Sequence, residues 1–422
     1  MRPRALCLGI DLGTSGVRVA ALDERGRACG VVAKSWPAGD ALNPFAWLRL
    51  SLDLIATLTR RLPHTLIEAL AIDGTSGTVL LCAPDSGRPL TPTLAYNDQR
   101  ATHEAAQAAA AGLAPGPAHG AHGGIAKLLW LKTHYDIGPR ARALPQSAWL
   151  TGAFLGRFRY CDEHNALKLG FDGAWAGAVG PLGLAGHLPE IVAPGTILGR
   201  LTPPLTRRLN LGHAPFIVAG TTDSIAALLA LGPLPVGVGV SSLGSTLALK
   251  LVSPRPIQAP EHGIYSHRLG NVWLAGGASN SGGVVLNHYF TRSELARLSG
   301  DIAIDTPTHL RYYPLIHAGE RFPINDPELK PRVTPRPASD TVFLQGLLEG
   351  LAEIEARGYA LLAHHGAPLV KHVMTTGGGA RNGAWRTIRE QRLGVPVTNA
   401  FGSPTALGAA RLACQGLHQD MA

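Results

Sequence analysis

The sequence predicts an α/β protein of two related domains. Three observations carry that expectation. The chain has 422 residues, more than one hydrophobic core usually serves. Short apolar runs alternate with stretches of helical periodicity. A glycine-hydroxyl turn also occurs twice, as Gly9-Ile10-Asp11-Leu12-Gly13-Thr14-Ser15 and as Gly239-Val240-Ser241-Ser242-Leu243-Gly244-Ser245-Thr246. Aligning Leu12-Gly13-Thr14-Ser15 with Leu243-Gly244-Ser245-Thr246 sets Val17-Arg18-Val19-Ala20 against Leu247-Ala248-Leu249-Lys250. Each copy then reads strand, tight turn, strand.

Ala5 to Ile10, Val17 to Leu22 and Ala28 to Ala33 form an expected three-stranded meander, its last turn marked by Asp23-Glu24-Arg25-Gly26-Arg27. Asn43-Pro44 opens a helix with an apolar stripe at Leu48, Leu52, Ile55 and Leu58. A strand at Ala69 to Ile72 runs into Asp73-Gly74-Thr75-Ser76. Residues 105–124, rich in Ala, Gly, Pro and His without period, read as a helix end and loop. The proline-containing stretch 195–215 reads as a surface connection, followed by a strand at Phe216 to Ala219 and a helix at Ser224 to Leu231. Pro233 and Pro235 mark a domain boundary within 232–237. The second half repeats the order, with strands around Val240, at Leu247 to Leu251 and at Val272 to Ala275. A long helix follows, carrying Val342, Gly346, Leu347, Gly350, Leu351 and Ile354 on one side. Val373-Met374 leads into the glycine loop Gly377-Gly378-Gly379-Ala380-Arg381-Asn382 and a helix at Ala384 to Arg392. Ser403-Pro404 starts a last helix with small or apolar positions Ala406, Ala410, Cys414 and Leu417. The expected domains are therefore 1–231, joined by the helix 403–422, and 232–402.

The residue types in these turns suit phosphate. Glycine admits close backbone approach, while Gly13, Thr14 and Ser15, like Gly244, Ser245 and Thr246, offer backbone N–H groups and hydroxyls. An ordinary hairpin turn accounts for either copy alone. The copies differ where Asp11 stands against Ser242, and a carboxylate beside phosphates calls for an intervening cation, which makes Asp11 the candidate Mg²⁺ residue. Asp223, between a strand and a helix, fits a helix N-cap and equally a carboxylate kept ionised by the helix terminus to deprotonate an alcohol. The three glycines Gly377, Gly378 and Gly379 suit either a plain strand-to-helix turn or a platform for a flat base such as adenine. Asp73 and Ser76, the segment Tyr96-Asn97-Asp98-Gln99-Arg100, and Asp162 to Lys168 with Asn165 are turn chemistry or the dense polar lining a sugar requires.

Composition narrows the classes. Apolar residues are 45% and charged residues 16%, enough core for a globular chain and too little charge for disorder. The net charge of +9 stems from 29 acids against 38 Lys and Arg. The basic residues are scattered, which favours polyanionic small substrates over nucleic acid. Five widely spaced cysteines without a Cys-x-x-Cys fit reduced thiols in a cytoplasmic protein. No signal-peptide core and no credible membrane span appear, so no membrane partner is expected; oligomeric state is not legible. Gly-Lys, His-Arg-Asp, His-Glu-x-x-His and Gly-x-Ser-x-Gly are all absent, which removes Walker A, protein-kinase, zincin and hydrolase-elbow readings.

Taken in order, these motifs resemble the FGGY family of carbohydrate kinases across nearly the whole chain. The resemblance runs through Asp11 to Ser15, Asp98-Gln99-Arg100, Asn165-Ala166, Asp223, Leu243 to Thr246, Gly319-Glu320-Arg321-Phe322-Pro323 and Gly377 to Asn382. It implies two actin-like ATPase (ribonuclease H-like) domains with a cleft between them, ATP and Mg²⁺, and a sugar substrate. Asp223 would be the base, Asp11 the metal-associated acid, Gly377 to Gly379 and Asn382 the adenosine loop, and Ser76 a sugar contact. Within the family the resemblance leans to the short xylulose-kinase-like branch of D-ribulose kinases, on Asp73 to Ser76, Asp162 to Gly170, Gly220 to Ala226, Ser242 to Leu249, Tyr265 to Leu269, Gly276 to Gly283 and Tyr313-Pro314-Leu315. It departs where typical members carry Trp and this chain has Tyr96-Asn97. Kinases for D-xylulose, L-ribulose or glycerol, and a non-kinase ATPase switch of the same superfamily, are the alternative expectations.

Overall fold

The computed structural model describes residues 4–62, 65–114, 116–400 and 404–420. Two compact units emerge, Met1–Gly232 with Ser403–Ala422, and Pro233–Gly402. Ser403, where the sequence places the start of the last helix, lies outside the described residues.

The first unit contains strands β1 (Arg4–Leu12), β2 (Gly16–Asp23), β3 (Ala28–Ser35), β4 (Thr65–Gly74), β5 (Val79–Cys82), β6 (Arg142–Pro145), β7 (Tyr160–Asp162), β8 (Glu190–Val192), β9 (Ile197–Arg200) and β10 (Phe216–Thr222). Its helices are α1 (Pro44–Arg61), α2 (Thr102–Ala110), α3 (Gly124–His134), α4 (Gln146–Leu155), α5 (Glu163–Ala166), α6 (Pro203–Arg208) and α7 (Asp223–Leu229). The main sheet has the order β3-β2-β1-β4-β10-β9. β1 runs antiparallel to β2 and parallel to β4, and β4 runs parallel to β10. Because β1 and β4 are central, both are buried on both faces, which is why they read as continuous apolar runs rather than alternating ones. The polar interruptions at their carboxyl ends are therefore conspicuous: Asp11 is in register with Arg18 on β2 and Asp73 on β4, and Asp73 with Thr221 on β10. Paired residues of neighbouring strands share a face of the sheet.

Helix α1 starts where Asn43 accepts a hydrogen bond from the Phe45 N–H and Pro44 occupies the first turn. Its buried face is Trp47, Leu50, Leu54, Ile55 and Leu58, and the expected stripe residue Leu48 is only half-buried. Two further expectations need correction. The stretch 195–215 is not a bare connection: it supplies the edge strand β9 and the helix α6, whose Pro203 and Pro204 open the helix instead of preventing it. Asp223 is not an N-cap. Thr222 caps α7, its side chain accepting from the Ile225 N–H, and Asp223 is the first helical residue.

The second unit contains β11 (Val238–Leu243), β12 (Leu247–Ser253), β13 (Tyr265–Leu269), β14 (Val272–Ser279), α8 (Gly283–Tyr289), α9 (Arg292–Gly300), α10 (Asp340–His364), β15 (His372–Thr376), α11 (Gly383–Leu393) and β16 (Val397–Asn399). Its sheet order is β13-β14-β12-β11-β15-β16. β11 is antiparallel to β12 and parallel to β15, so the arrangement around β1 is repeated around β11. The long helix α10 buries Phe343, Leu344, Leu347, Leu348, Leu351 and Ile354, whereas Val342, expected on the buried side, faces solvent. Gly276 and Gly277 continue β14 instead of ending it.

The last helix, α12 (Thr405–Asp420), packs on the first unit. Its alanines Ala406, Ala409, Ala410 and Ala413 meet Cys7, Ala20, Ala69, Ala71 and Val218. Small residues allow a very close approach. A Cβ at Gly9 would sit 1.8 Å from the Ala406 carbonyl oxygen, so glycine is required there. Among the described residues no helix is long and apolar enough to cross a membrane.

Candidate active site

In the first unit four segments converge at the carboxyl ends of β1, β4 and β10. The turn after β1 exposes Thr14 and Ser15 at its tip and is closed by the Gly13 N–H donating to the Gly16 carbonyl at 3.0 Å. Trp36 Nε1 donates to the Gly13 carbonyl at 2.9 Å and steadies the turn from the side. Asp11 is buried, with Arg18 Nη1 at 3.0 Å from its Oδ2. Burial pushes the Asp11 carboxyl up, and the Arg18 guanidinium opposes that rise.

The segment after β4 is tied to the others by hydrogen bonds. Gln146 Oε1 accepts from the Thr75 N–H at 3.1 Å and the Thr75 hydroxyl at 2.8 Å. Lys127 is fully buried, its Nζ donating to the carbonyls of Gly77, Ala95 and Tyr96 at 3.0, 2.6 and 3.1 Å. Lys168 Nζ donates to the Ser76 carbonyl at 3.1 Å. His164 Nδ1 lies 2.7 Å from the Thr221 hydroxyl, joining α5 to β10 beside Asp223. The structure thus brings the predicted segments 73–76, 96–100 and 162–168 together with Asp223.

The individual candidates differ in what they can reach. Ser76 is half-buried and Asn97 exposed. Asp98 is held by Arg100, with Nη2 at 2.8 Å, and Arg100 in turn lies over the Trp130 ring. Burial opposes ionisation of Asp98, but the Arg100 hydrogen bonds win and its carboxyl sits below the usual range. Asn165 is buried, its Nδ2 shared between Ser147 Oγ at 3.1 Å and Asp162 Oδ2 at 2.8 Å, while its Oδ1 lacks a partner. Asp73 is 0% exposed and receives no N–H or hydroxyl hydrogen bond; burial, with the Asp11 carboxyl against it, pushes its own carboxyl well above the usual carboxylate range.

Asp223 is half-buried at the start of α7 and accepts from the Ser224 N–H at 2.7 Å. The helix terminus does not set its titration as expected. Burial dominates and lifts the carboxyl to about 6; Asp11 adds to the rise, while the Ser224 and Ser76 backbone and Lys168 oppose it. Three carboxyl groups, Asp11, Asp73 and Asp223, therefore act on one another in this region. The carboxylate oxygens of Asp11 are the donor type that suits a hard divalent cation such as Mg²⁺.

Sequence reasoning missed Lys127 and Gln146. A lysine inside the apolar run Gly124-Ile125-Ala126-Lys127-Leu128-Leu129 was the available signal, since a buried amine in such a run must find acceptors.

In the second unit the matching turn exposes Gly244 and Ser245, and the N–H groups of Gly283 and Val284 bind the carbonyls of both residues. Gly377 has φ +86° and its Cβ would lie 2.6 Å from the Leu243 carbonyl oxygen, whereas a Cβ at Gly378 would meet nothing within 4 Å. The glycines therefore seat one loop against the other and leave open space at Gly378. Gly379 is constrained by Trp385 and Leu243. Asn382 caps α11 by accepting from the Trp385 N–H and donates to Ser299 Oγ at 2.9 Å. Beneath both loops lies a buried network that sequence reasoning also missed. Arg389 pairs with Glu355 and donates to Thr375 Oγ1 at 2.8 Å, while Ser241 bonds Glu355 and Tyr359.

Residues 239–417 match the model of the C-terminal domain of the FGGY family of carbohydrate kinases. The xylulose kinase of Escherichia coli (strain K12) is 26% identical, over 96% of this chain and 89% of that protein. The xylulose kinase of Bacillus subtilis (strain 168) is 24% identical, over 97% and 88%. Among solved structures, the ligand-bound xylulose kinase of Lactobacillus acidophilus superposes with a TM-score of 0.81 at 17% identity, covering 98% of this chain and 90% of that one. The fold is the two-domain α/β actin-like ATPase fold.

Proposed function

The chain belongs to the FGGY family of carbohydrate kinases, and from that premise we propose that it transfers the γ-phosphoryl group of ATP to the terminal hydroxyl of D-ribulose, giving D-ribulose 5-phosphate and ADP. The observation that carries the reading is Asp223: a half-buried carboxylate with a pKa raised to about 6, beside Ser76 and Lys168. A base of that strength is mostly ionised at neutral pH and close to the operating pH, where general bases are effective. Asp223 takes the proton from the sugar hydroxyl as its oxygen bonds to the γ-phosphorus, and the bond from phosphorus to the ADP oxygen breaks in line. Such transfer relies on positioning and charge neutralisation.

Gly13, Thr14 and Ser15 in the first unit and Gly244, Ser245 and Thr246 in the second are assigned to the phosphates, and Gly377 to Gly379 with Asn382 to adenosine. Asp11 would hold Mg²⁺, which offsets phosphate charge when bound. The polar segments at Ser76, Asn97, Asp98 and Asn165 are assigned to the sugar, with Lys127, Gln146 and Lys168 fixing their backbones. A cytoplasmic setting belongs to the same reading, supported by five free cysteines.

The stretches Asp73 to Ser76 and Asp162 to Gly170 favour D-ribulose. A second reading, D-xylulose as acceptor, is favoured by the relatives named xylulose kinases. Comparing kcat/KM for D-ribulose, D-xylulose, L-ribulose and glycerol in a coupled ADP assay decides between them. D-ribulose is expected to give the highest value, and a marked preference for any other acceptor replaces it.

A further inference from the structure

Two turns of the second unit carry metal-ligating side chains that phosphoryl transfer does not use. The short helical turn Pro260–His262 presents Glu261 and His262, and His365 follows the last residue of α10. One donor atom from each of Glu261, His262 and His365 lies within 4.8 Å of the other two. The rings of His262 and His365 stand 5.2 Å apart between centroids, tilted by 53°. His365 Nε2 is shut from solvent and has no hydrogen-bond partner. An enclosed ring nitrogen left without a partner is costly, and a metal ion satisfies it. The chain passes from His365 towards the amino end of β15, whereas the glycine loops assigned to nucleotide follow the carboxyl ends of β11 and β15.

Both turns are held by contacts of their own. Ala259 and Ile264 exchange backbone hydrogen bonds at 3.1 and 3.0 Å around Pro260–His262, and Asn325 Nδ2 donates to the Glu261 carbonyl at 2.9 Å. On the other side the His365 N–H donates to the Leu361 carbonyl at 3.1 Å, and Arg255 donates to the Gly366 carbonyl through Nε at 3.2 Å and Nη2 at 2.9 Å. A four-coordinate zinc with bonds of about 2.0–2.2 Å needs its donors roughly 3.4 Å apart, so closure takes only a small side-chain rotation. Glu261 is exposed and has the room to make it. Two imidazoles and a carboxylate are the donor set of zinc sites that keep one position open, whereas Mg²⁺ and Ca²⁺ take oxygen ligands.

We propose that Glu261, His262 and His365 form a Zn²⁺ site that clips the C-terminal end of α10 to the turn before β13, with water as the fourth ligand. The site is additional to the Mg²⁺ assigned to Asp11 and does not depend on the kinase reading.

The test is titration of the untagged full chain, stripped of metal by a chelator, with Zn²⁺ in a calorimeter. Visible absorption with Co²⁺ in place of Zn²⁺ and thermal unfolding with and without Zn²⁺ accompany it. The wild type is expected to bind one Zn²⁺ with a micromolar or tighter Kd, to show the strong visible band of four-coordinate Co²⁺, and to melt higher when loaded. A large excess of Mg²⁺ should leave the Zn²⁺ titration unchanged. His262→Gln and His365→Gln should each weaken Kd by roughly 10-fold or more, at least what the loss of a supporting partner does to a metal site, and should lose the Co²⁺ band and the thermal shift. Glu261→Gln should weaken binding in the same direction. The histidines sit on separate segments, so a variant that does not fold leaves the other to decide. His103→Gln, at an exposed histidine of the first unit, is the control and should change none of these readouts. Wild-type affinity in any of the three site variants overturns the proposal, as does a wild type that binds no Zn²⁺ below millimolar concentration or loses it to Mg²⁺. A chain that binds Zn²⁺ through these residues yet phosphorylates no sugar leaves the site standing and removes the kinase reading instead.

Discussion

Burial lifts the carboxyl of Asp223 to about 6, while the Ser224 N–H and Lys168 oppose the rise. The ionised form is the working form of a base, so kcat/KM, which reports groups of the free enzyme, should fall below about pH 6 and level off above it. A flat profile from pH 5 to 8 would remove Asp223 from that role. Asp223→Asn keeps the shape and loses the proton acceptor; kcat should drop by roughly 10²–10⁴-fold with the melting temperature little changed. Lys127 is a different case. Its amine is the donor for the Gly77, Ala95 and Tyr96 carbonyls, so Lys127→Met leaves three acceptors without it. A loss of about 1–3 kcal/mol in denaturant unfolding is expected, with a higher KM for the sugar. The contrast shows what single residues disclose. Asp11, Asp223 and the glycine turns were legible because their residue types are unusual where they stand. The partners of Lys127 and the contact between Asp73 and Asp11 were not, since both depend on segments that are distant in sequence and adjacent only in the fold.

Among the elements, α11 and α10 matter most to the second unit because they carry Arg389 and Glu355 beneath the loops at Ser241 to Thr246 and Thr375 to Gly379. One guanidinium reaches Thr375 on β15, and one carboxylate reaches Ser241 on β11. The pair therefore fixes both loops against common supports. Removing one member strands the other's charge in the interior, and Arg389→Met should cost about 3–5 kcal/mol of stability. Its KM for ATP should rise more than its KM for sugar; an equal rise in both would show that the network does not position the nucleotide loops. Where β1 meets α12, Gly9→Ala drives a methyl group into the Ala406 carbonyl, and about 1–3 kcal/mol of destabilisation is expected in thermal or denaturant unfolding. Element reading from sequence succeeded where periodicity and capping agreed, as in α1 and β1 to β4. It failed at β9 and α6, where proline suggested a break and instead opened a helix, and at the end of β14, which runs past the expected Ala275 through Gly276 and Gly277, paired with β12.

At the scale of the molecule, the repeated turn reflects a repeated sheet. β1 and β11 each sit between an antiparallel hairpin partner and a parallel strand, and the two turns follow those central strands. The duplication could be read from the sequence because a strand, turn and strand leave a local pattern. The parallel neighbours β4 and β15 could not be paired with them from sequence, because crossover pairing leaves no local signature. That pairing is what sets Asp73 beside Asp11 and Thr376 beside Ser242. The likeness to the FGGY carbohydrate kinases supports a sugar kinase, and the proposed acceptor, D-ribulose, rests on the polar segments of the first unit. The most direct test measures ADP release with and without D-ribulose for the wild type and Asp223→Asn at pH 8. Strong stimulation by the ketopentose in the wild type, reduced by roughly 10²–10⁴-fold in the variant, is the predicted result. ATP turnover indifferent to every sugar, or a variant that phosphorylates D-ribulose as fast as the wild type, would contradict it.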